Sequence, residues 1–328
     1  MKVVVTREIP ANGIEALKKQ FGDAVSVHYG PPMSHEQLLE FVKGADAILS
    51  LLTDKISEDV LEAAGSQLKV VSNYAVGFDN IDLAACTAKG IVVTNTPGVL
   101  TEAVAEHAIA LMLSSARRIV EGDKFMRGGN YKYWEPMFLL GPKIYGKTLG
   151  IIGLGRIGHY VAKICANGFD MKILYYDVSR DDKFENEFKA LYCALDDLLE
   201  KSDFISVHVP LLPSTHHLIG EREFKKMKPT AVLVNTSRGP VVDEYALVRA
   251  LKEKWIEGAG IDVFEFEPKI AEGLAQLDNI VVTPHIASAT HEARIEMARL
   301  ASQGLMSVLL DKKLPENTVN KDVKMKSA

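Results

Sequence analysis

The chain has 328 residues, more than one hydrophobic core usually spans without splitting, so two domains are expected. With 47% hydrophobic and 25% charged residues it reads as a folded globular protein rather than a disordered one, and a formal charge of -5 argues against a phosphate-backbone binder, which needs a basic face. The 3 cysteines cannot all pair and none stands in a CxxC, and "MKVVVTREIP" lacks the long apolar core of a secretory leader, so a reducing, cytoplasmic location is expected, with neither nucleic acid nor membrane as a partner.

The opening third alternates short β-branched runs with helix-like segments. "VVVT" precedes "ANGIEALKKQF", "AILSLL" precedes "SEDVLEAAG", "LKVVSNY" precedes "NIDLAACTAKG", and "IVVTNT" follows. Nearly continuous apolar strands between amphipathic helices imply a parallel sheet covered on both faces. Residues 101–121 then read as a single long helix, apolar nearly all round, which Thr101 can cap. After the loop "RGGNYKYWEPMFLLGPKIYGK" the alternation restarts in "TLGIIGL", "KILYYD", "DFISVHVP", "AVLVNT", "GAGIDVF" and "NIVVTPH". These strand candidates suit a complete doubly wound nucleotide domain. The helical segment at 289–311 has no strand after it, which predicts that it crosses back to the first domain and leaves that domain discontinuous. The polar tail "NKDVKMKSA" is expected to fray.

"GLGRIG", residues 153–158, stands between the strand "TLGII" and the helix "IGHYVAKICANG", the context that gives this otherwise weak pattern its meaning. Gly153 permits a tight turn, Gly155 lets a pyrophosphate approach the main chain, and Gly158 lets helix and strand pack closely. The helix N-terminus, at Arg156 and Ile157, offers N–H groups and a partial positive charge to phosphate. Asp177, which ends "KILYYD" about twenty residues further on, can accept from both ribose hydroxyls and repel a 2′-phosphate. NAD is therefore favoured over NADP, with Arg180 close enough to blunt that exclusion.

Downstream segments close their strands with reactive groups: "NTSRGP" with Arg238, "DVFEFEP" with Asp262, Glu265 and Glu267, and "TPHIASAT" with His285. At the carboxyl ends of strands in an open α/β sheet, all of them would face the cofactor. His285 and His291 have a spacing that zinc can use, but no cysteine pair or HExxH accompanies them, and no metal site is predicted. His216 and His217 are expected to point in different directions from a solvated loop, and His107 to be a hydrogen-bonded interface histidine. Tyr131, Tyr133, Trp134 and Phe138 read as packing residues.

At these residues the sequence resembles the D-isomer-specific 2-hydroxyacid dehydrogenase family, and the resemblance covers essentially the whole chain. "NYAVGFDNID", "VVTNTPGVLTEAVAEHAIAL", "GKTLGIIGLGRIG", "VNTSRGPVVDEYAL", "GAGIDVFEFEP" and "VVTPHIASATHEAR" look like family signatures in the family's order. The spacing of Glu267 and His285 and the "HIASATHEAR" ending are most similar to the glyoxylate/hydroxypyruvate reductase branch. The resemblance implies an α/β fold of two doubly wound parallel-sheet domains. A Rossmann NAD-binding domain, residues 100–289 with an N-terminal dimerisation helix and loop, is inserted into a flavodoxin-like substrate domain, residues 1–99 and 290–328, with the active site in the cleft between them. The implied activity is an NAD(H)-dependent dehydrogenase, a homodimer acting on a small 2-keto or 2-hydroxy acid. D-3-phosphoglycerate, D-lactate and D-glycerate dehydrogenases are the neighbouring alternatives, and an NADH-sensing, corepressor-like binding protein is the alternative from another class.

Carried over by the same resemblance, Arg238 binds the substrate carboxylate and polarises the keto oxygen through charge-assisted hydrogen bonds that lysine cannot match. His285 protonates that oxygen as hydride arrives, and Glu267 fixes the tautomer of the imidazole and favours its charged form. Glu265 competes with Glu267, and only the family's register favours the latter. Val76 and Gly77 offer backbone N–H groups to the substrate carboxylate, and Leu52 forms an apolar wall of the pocket. Thr101, Val209, Pro210, Thr236, Asp262 and Ser288 fall on cofactor contacts, and the aromatic segment at 131–138 would reach a neighbouring subunit's substrate pocket.

Overall fold

In the computed structural model, which describes residues 1–326, the chain divides into two compact units: Met1–Leu100 with the segment from Ala289 onward, and Thr101–Ser288. The first unit holds a parallel sheet of β1 (Val3–Val5), β2 (Val25–Val27), β3 (Ala47–Leu51), β4 (Val70–Tyr74) and β5 (Val92–Thr94), ordered β2-β1-β3-β4-β5. That is the flavodoxin-like order. Its strands read as unbroken apolar runs because both faces are covered. Val4, Ile48, Val71 and Val93 join a core with Leu38 and Val60, while on β4 the Ser72 hydroxyl donates to the carbonyl of Ala301 at 2.7 Å. Two elements escape the sequence reading. β2 has only three residues, too few to show a period. The helix His35–Val42 is announced by a capping box in which Ser34 and Gln37 satisfy each other's backbone N–H, a local signal that hydrophobic periodicity does not include.

The last helix, His291–Met306, packs on β4 and on the helix Ala11–Phe21, where Ser302 donates to the carbonyl of Gly13 at 3.1 Å. The expectation of a frayed tail is corrected for Asn320–Lys326. The Asn320 carboxamide accepts from Val93 N–H at 2.8 Å and donates to Ile91 O at 2.9 Å, Val319 N–H donates to Val93 O, and Lys326 Nζ donates to the carbonyls of Ser66 and Leu68. An edge strand presents unpaired backbone groups, and this tail satisfies those of β5 despite its polar composition. Ser327 and Ala328, the end of that tail, lie outside the described residues.

The second unit holds β6 (Thr148–Ile152), β7 (Lys172–Tyr176), β8 (Leu191–Tyr192), β9 (Phe204–Val207), β10 (Val232–Asn235), β11 (Gly258–Ile261) and β12 (Ile280–Val282) in one parallel sheet. The order is β12-β11-β10-β9-β6-β7-β8, so the winding reverses between β6 and β9. The two-residue β8 was not expected; its side chains are exposed and carry no apolar period. Neighbouring residues on the central strands serve opposite cores. Ile151 and Val234 pack with Met112 and Val161, whereas Ile152 and Leu233 pack with Phe224 and Leu247. Each such side chain contributes roughly 1.5–3 kcal/mol on burial.

The single helix expected over 101–121 is two. Thr101–Ala116 ends before Arg118, which takes φ +51 and precedes Ile119–Arg127. The Arg118 guanidinium holds the Glu121 carboxylate through two bonds of 2.8 Å. A helical period does not report one left-handed residue, which is where the expectation failed. Thr101 itself is the first helical residue and is buried.

Candidate active site

The turn after β6 brings the glycine stretch to the point where the sheet reverses. Gly153 has φ +94, and an added Cβ would lie 2.8 Å from Val209 Cγ1. A Cβ on Gly158 would lie 2.1 Å from the carbonyl oxygen of Gly153, so only glycine lets the helix Arg156–Phe169 close on its strand. Gly155 differs: it is exposed, and a Cβ there would meet nothing within 4 Å. No side chain caps this helix, whose first residues are Arg156 and Ile157. Asp177, just past β7, accepts from Leu154 N–H at 2.7 Å and Ser179 N–H at 3.3 Å. Bare backbone at a helix N-terminus, with a carboxylate beside it, fits a dinucleotide phosphate and its ribose. Arg180, expected near enough to meet a 2′-phosphate, forms a two-bond pair with Glu185 (2.7 and 2.6 Å) and a contact with Asp182 at 3.2 Å.

Beyond β9, His208 donates its backbone N–H to Ile152 O at 2.7 Å, and its Nε2 lies 2.8 Å from Ser206 Oγ. Desolvation pushes its pKa down to about 3, so the ring is neutral. His208 thereby fixes the start of the segment of half-buried Val209 and exposed Pro210. Sequence reasoning passed over this residue; the signal available was a histidine directly ending an apolar strand.

β10 delivers Thr236 and Arg238. The Asn235 Oδ1 accepts from Ser237 N–H and Oγ, its Nδ2 donates to Arg238 O at 3.0 Å, and Arg238 Nη1 donates to Ser237 O at 2.8 Å. Thr236 Oγ1 is buried and, among the described residues, has no hydrogen-bond partner. An orphaned buried hydroxyl carries a desolvation cost that a ligand would remove. Next to Arg238, a Cβ on Gly239 would sit 1.9 Å from the carbonyl carbon of Phe264. That close approach presses the arginine loop against the segment that carries Glu267, and it is a second feature the sequence reading missed.

His285 follows β12. Its Nδ1 lies 3.0 Å from Glu267 Oε2, and Glu267 Oε1 accepts from Phe264 N–H at 2.9 Å. Burial would raise the Glu267 pKa, but the His285 hydrogen bond and charge, the Phe264 N–H and the Arg238 charge outweigh it and hold this carboxyl below its ordinary value. Glu265 is engaged elsewhere: Oε1 meets His217 Nε2 at 2.8 Å and Oε2 accepts from Glu244 N–H at 3.2 Å. The carboxylate that meets His285 is therefore that of Glu267. His216 and His217 do not point apart as expected; their rings lie 4.1 Å apart, and with Glu265 they place ligand atoms within 4.8 Å of one another. The i,i+1 rule for extended chain fails because His217 takes φ +50.

Asp262 is fully buried after β11 and accepts from Thr283 Oγ1 (2.6 Å), Ile286 N–H (2.9 Å) and Ala287 N–H (2.7 Å). His107 was expected at an interface, and its hydrogen-bond partner is Thr283 of the same unit, 2.9 Å away. Ser288 is half-buried at the end of this loop.

In the first unit, the carbonyls of Val76 and Gly77 accept from the carboxamides of Asn95 (2.7 Å) and Asn73 (2.9 Å). Their N–H groups have no partner among the described residues. Leu52 is half-buried just after β3. The aromatics expected to pack are largely exposed: Tyr133 at 69%, Trp134 at 76% and the neighbouring Met137 at 77%, with Phe138 resting on Phe125.

Residues 109–287 match the family model described as "D-isomer specific 2-hydroxyacid dehydrogenase, NAD binding domain". The chain is 50% identical over 324 residues to a glyoxylate reductase of Korarchaeum cryptofilum, covering 98% of this chain and 96% of that protein. To a glyoxylate reductase of Thermococcus litoralis it is 51% identical over 327 residues, 98% of this chain and 97% of the other. Among solved structures, the TT0316 protein of Thermus thermophilus superposes with a TM-score of 0.91 at 41% identity, over 97% of this chain and all of that one.

Gly155 and Gly158 separate by experiment. Gly158→Ala is expected to lower stability by about 1–3 kcal/mol through overpacking, read from a denaturant midpoint. Gly155→Ala should stay within about 1 kcal/mol of the parent, since nothing stands where its Cβ goes. Equal losses at the two positions would contradict this assignment.

Proposed function

Because the chain belongs to the D-isomer-specific 2-hydroxyacid dehydrogenase family, we propose that it is an NAD(H)-dependent reductase of a small 2-keto acid, with glyoxylate as its leading substrate and hydroxypyruvate next. The observation that carries this reading is the 3.0 Å pairing of His285 with Glu267 on the sheet edge that also carries the glycine turn and Arg238. NADH, when bound, supplies the hydride.

The chain's own residues do the rest. Arg238 holds the substrate carboxylate and draws charge from the keto oxygen, and its fixed fork orients the carbonyl. His285 gives a proton from its free ring nitrogen to that oxygen as negative charge develops there. Glu267, ionised at working pH, steadies the imidazolium before transfer and sets which nitrogen faces the substrate. In the first unit, Val76 and Gly77 offer N–H groups suited to a carboxylate, and Leu52 an apolar wall. For the cofactor, Gly153, Gly155, Gly158, Arg156 and Ile157 cradle the pyrophosphate, while Thr101, Val209, Pro210, Thr236 and Ser288 line the nicotinamide side. Asp262 belongs to the same group, chiefly through the loop it shapes. Asp177 accepts from the ribose hydroxyls, and with Arg180 committed to Glu185 a 2′-phosphate finds little compensation, so NADH is preferred.

The inserted second unit is the NAD-binding domain in this reading and the first the substrate domain. A homodimer is supported by the exposed apolar segment at Tyr131–Phe138, whose side chains resemble an interface core without its partner. A cytoplasmic location is supported by three unpaired thiols, of which Cys86 and Cys165 are buried with pKa values pushed up to about 12. Among the described residues no helix is long and apolar enough to cross a membrane.

A steady-state panel of glyoxylate, hydroxypyruvate, pyruvate and phosphohydroxypyruvate with NADH and NADPH tests the activity. His285→Ala should lower turnover by roughly a hundredfold or more while NADH affinity is kept. Absence of turnover in the parent alongside tight NADH binding would overturn the reading in favour of a sensor. For Glu267→Gln, the protonated imidazole loses its anionic partner, so keto-acid reduction should begin to fall at a lower pH than in the parent; an unmoved profile rejects the pairing. Sedimentation equilibrium should give twice the chain mass, and Trp134→Asp should shift it towards the monomer.

A further inference from the structure

His107 lies on the helix Thr101–Ala116, which packs against β11 and β12. Its side chain is 19% exposed, and its Nε2 lies 2.9 Å from Thr283 Oγ1 and 3.4 Å from Asp262 Oδ1. Counting protons gives the direction of this chain. Burial would raise the Asp262 pKa, but bonds from His107, Thr283, Ile286 and Ala287 outweigh it and keep the group ionised, so it can only accept. The single hydroxyl hydrogen of Thr283 therefore goes to Asp262 Oδ1, 2.6 Å away, and His107 Nε2 must be the donor to Thr283.

Asp262 in turn grips the loop of His285 from both sides. Its carbonyl accepts from His285 N–H at 2.8 Å, and its carboxylate accepts from Ile286 and Ala287 N–H at 2.9 and 2.7 Å. The grip opposes strain, because His285 holds φ +53, a left-handed conformation that is unfavourable for a residue with a Cβ. Without it the backbone would relax and carry the imidazole away from Glu267.

We propose that His107 is a positioning residue for the reaction: through Thr283 it orients the Asp262 carboxylate that clamps residues 285–287, and so aims the His285 imidazole. The proposal rests on the reading of His285 as the proton donor. His107 acts through these groups alone, without touching substrate.

The test compares His107→Phe, which fills the volume without a donor, with His107→Gln, which restores an N–H donor. In the full-length protein, His107→Phe should lower kcat for glyoxylate reduction by roughly ten- to a hundredfold with NADH affinity within about twofold, and His107→Gln should recover most of the loss. Thr283→Val, which breaks the next link, should behave like His107→Phe. Hydrogen exchange of the amides at 285–287 should speed up in His107→Phe and Thr283→Val but stay near the parent rate in His107→Gln. Equal kcat loss in the Phe and Gln variants, or unchanged exchange at 285–287, would overturn the proposal. A parent without turnover would instead sink the functional reading, and the exchange data would still decide whether the clamp exists.

Discussion

All seven strands of the second unit run parallel, so every carboxyl end lies on one edge of a single sheet. A parallel sheet is stable when helices bury both faces, and the alternation of side chains between two cores in β6 and β10 shows that burial. Chemistry is then confined to the edge, because the faces have no room for exposed polar groups. The glycine turn, His208, Thr236, Arg238, Asp262 and His285 all follow directly from the ends of strands. Their assembly is a consequence of the direction of the sheet and its reversal between β6 and β9, rather than of any attraction among them.

Two acids on neighbouring turns have been put to different uses by their surroundings. Asp262 is fully buried and filled by donors of its own unit, and it shapes backbone. Glu267 is about one-third exposed and is bonded to a side chain that can exchange protons. Both carry the cost of desolvation, and both are kept ionised by hydrogen bonds that outweigh it. The difference lies in the partner. Asp262 is held mainly by Thr283 and two backbone N–H groups that do not titrate, with the His107 imidazole at the longer distance of 3.4 Å, so it is suited to holding a loop; Glu267 meets an imidazole at 3.0 Å and suits a site where charge appears and disappears.

The exposed segment after the Arg118 break departs from the economy of the rest of the chain. Trp134 and Met137 are more than three-quarters exposed, while the cores on either side of the sheet are closed. Large apolar side chains held in water are unfavourable by the same effect that builds the cores. The segment follows the helix Ile119–Arg127, outside the regular alternation of strands and helices.

Much of the molecule was legible in one dimension because its signals are local. β-branched runs between amphipathic segments report buried parallel strands, and the spacing of Gly153, Gly155 and Gly158 reports a backbone that must turn, open and pack within six residues. The motifs that hold Arg238, Glu267 and His285 could be placed just past their strands. What the sequence could not settle is which partner each group meets, since that depends on chain segments far apart coming within 3 Å. Glu267 rather than Glu265 meets His285, Gly239 lies against Phe264, and Asn320 closes an edge strand. A hydrogen bond is decided over tenths of an ångström, and only the packed sheet brings the distant strand ends to that precision.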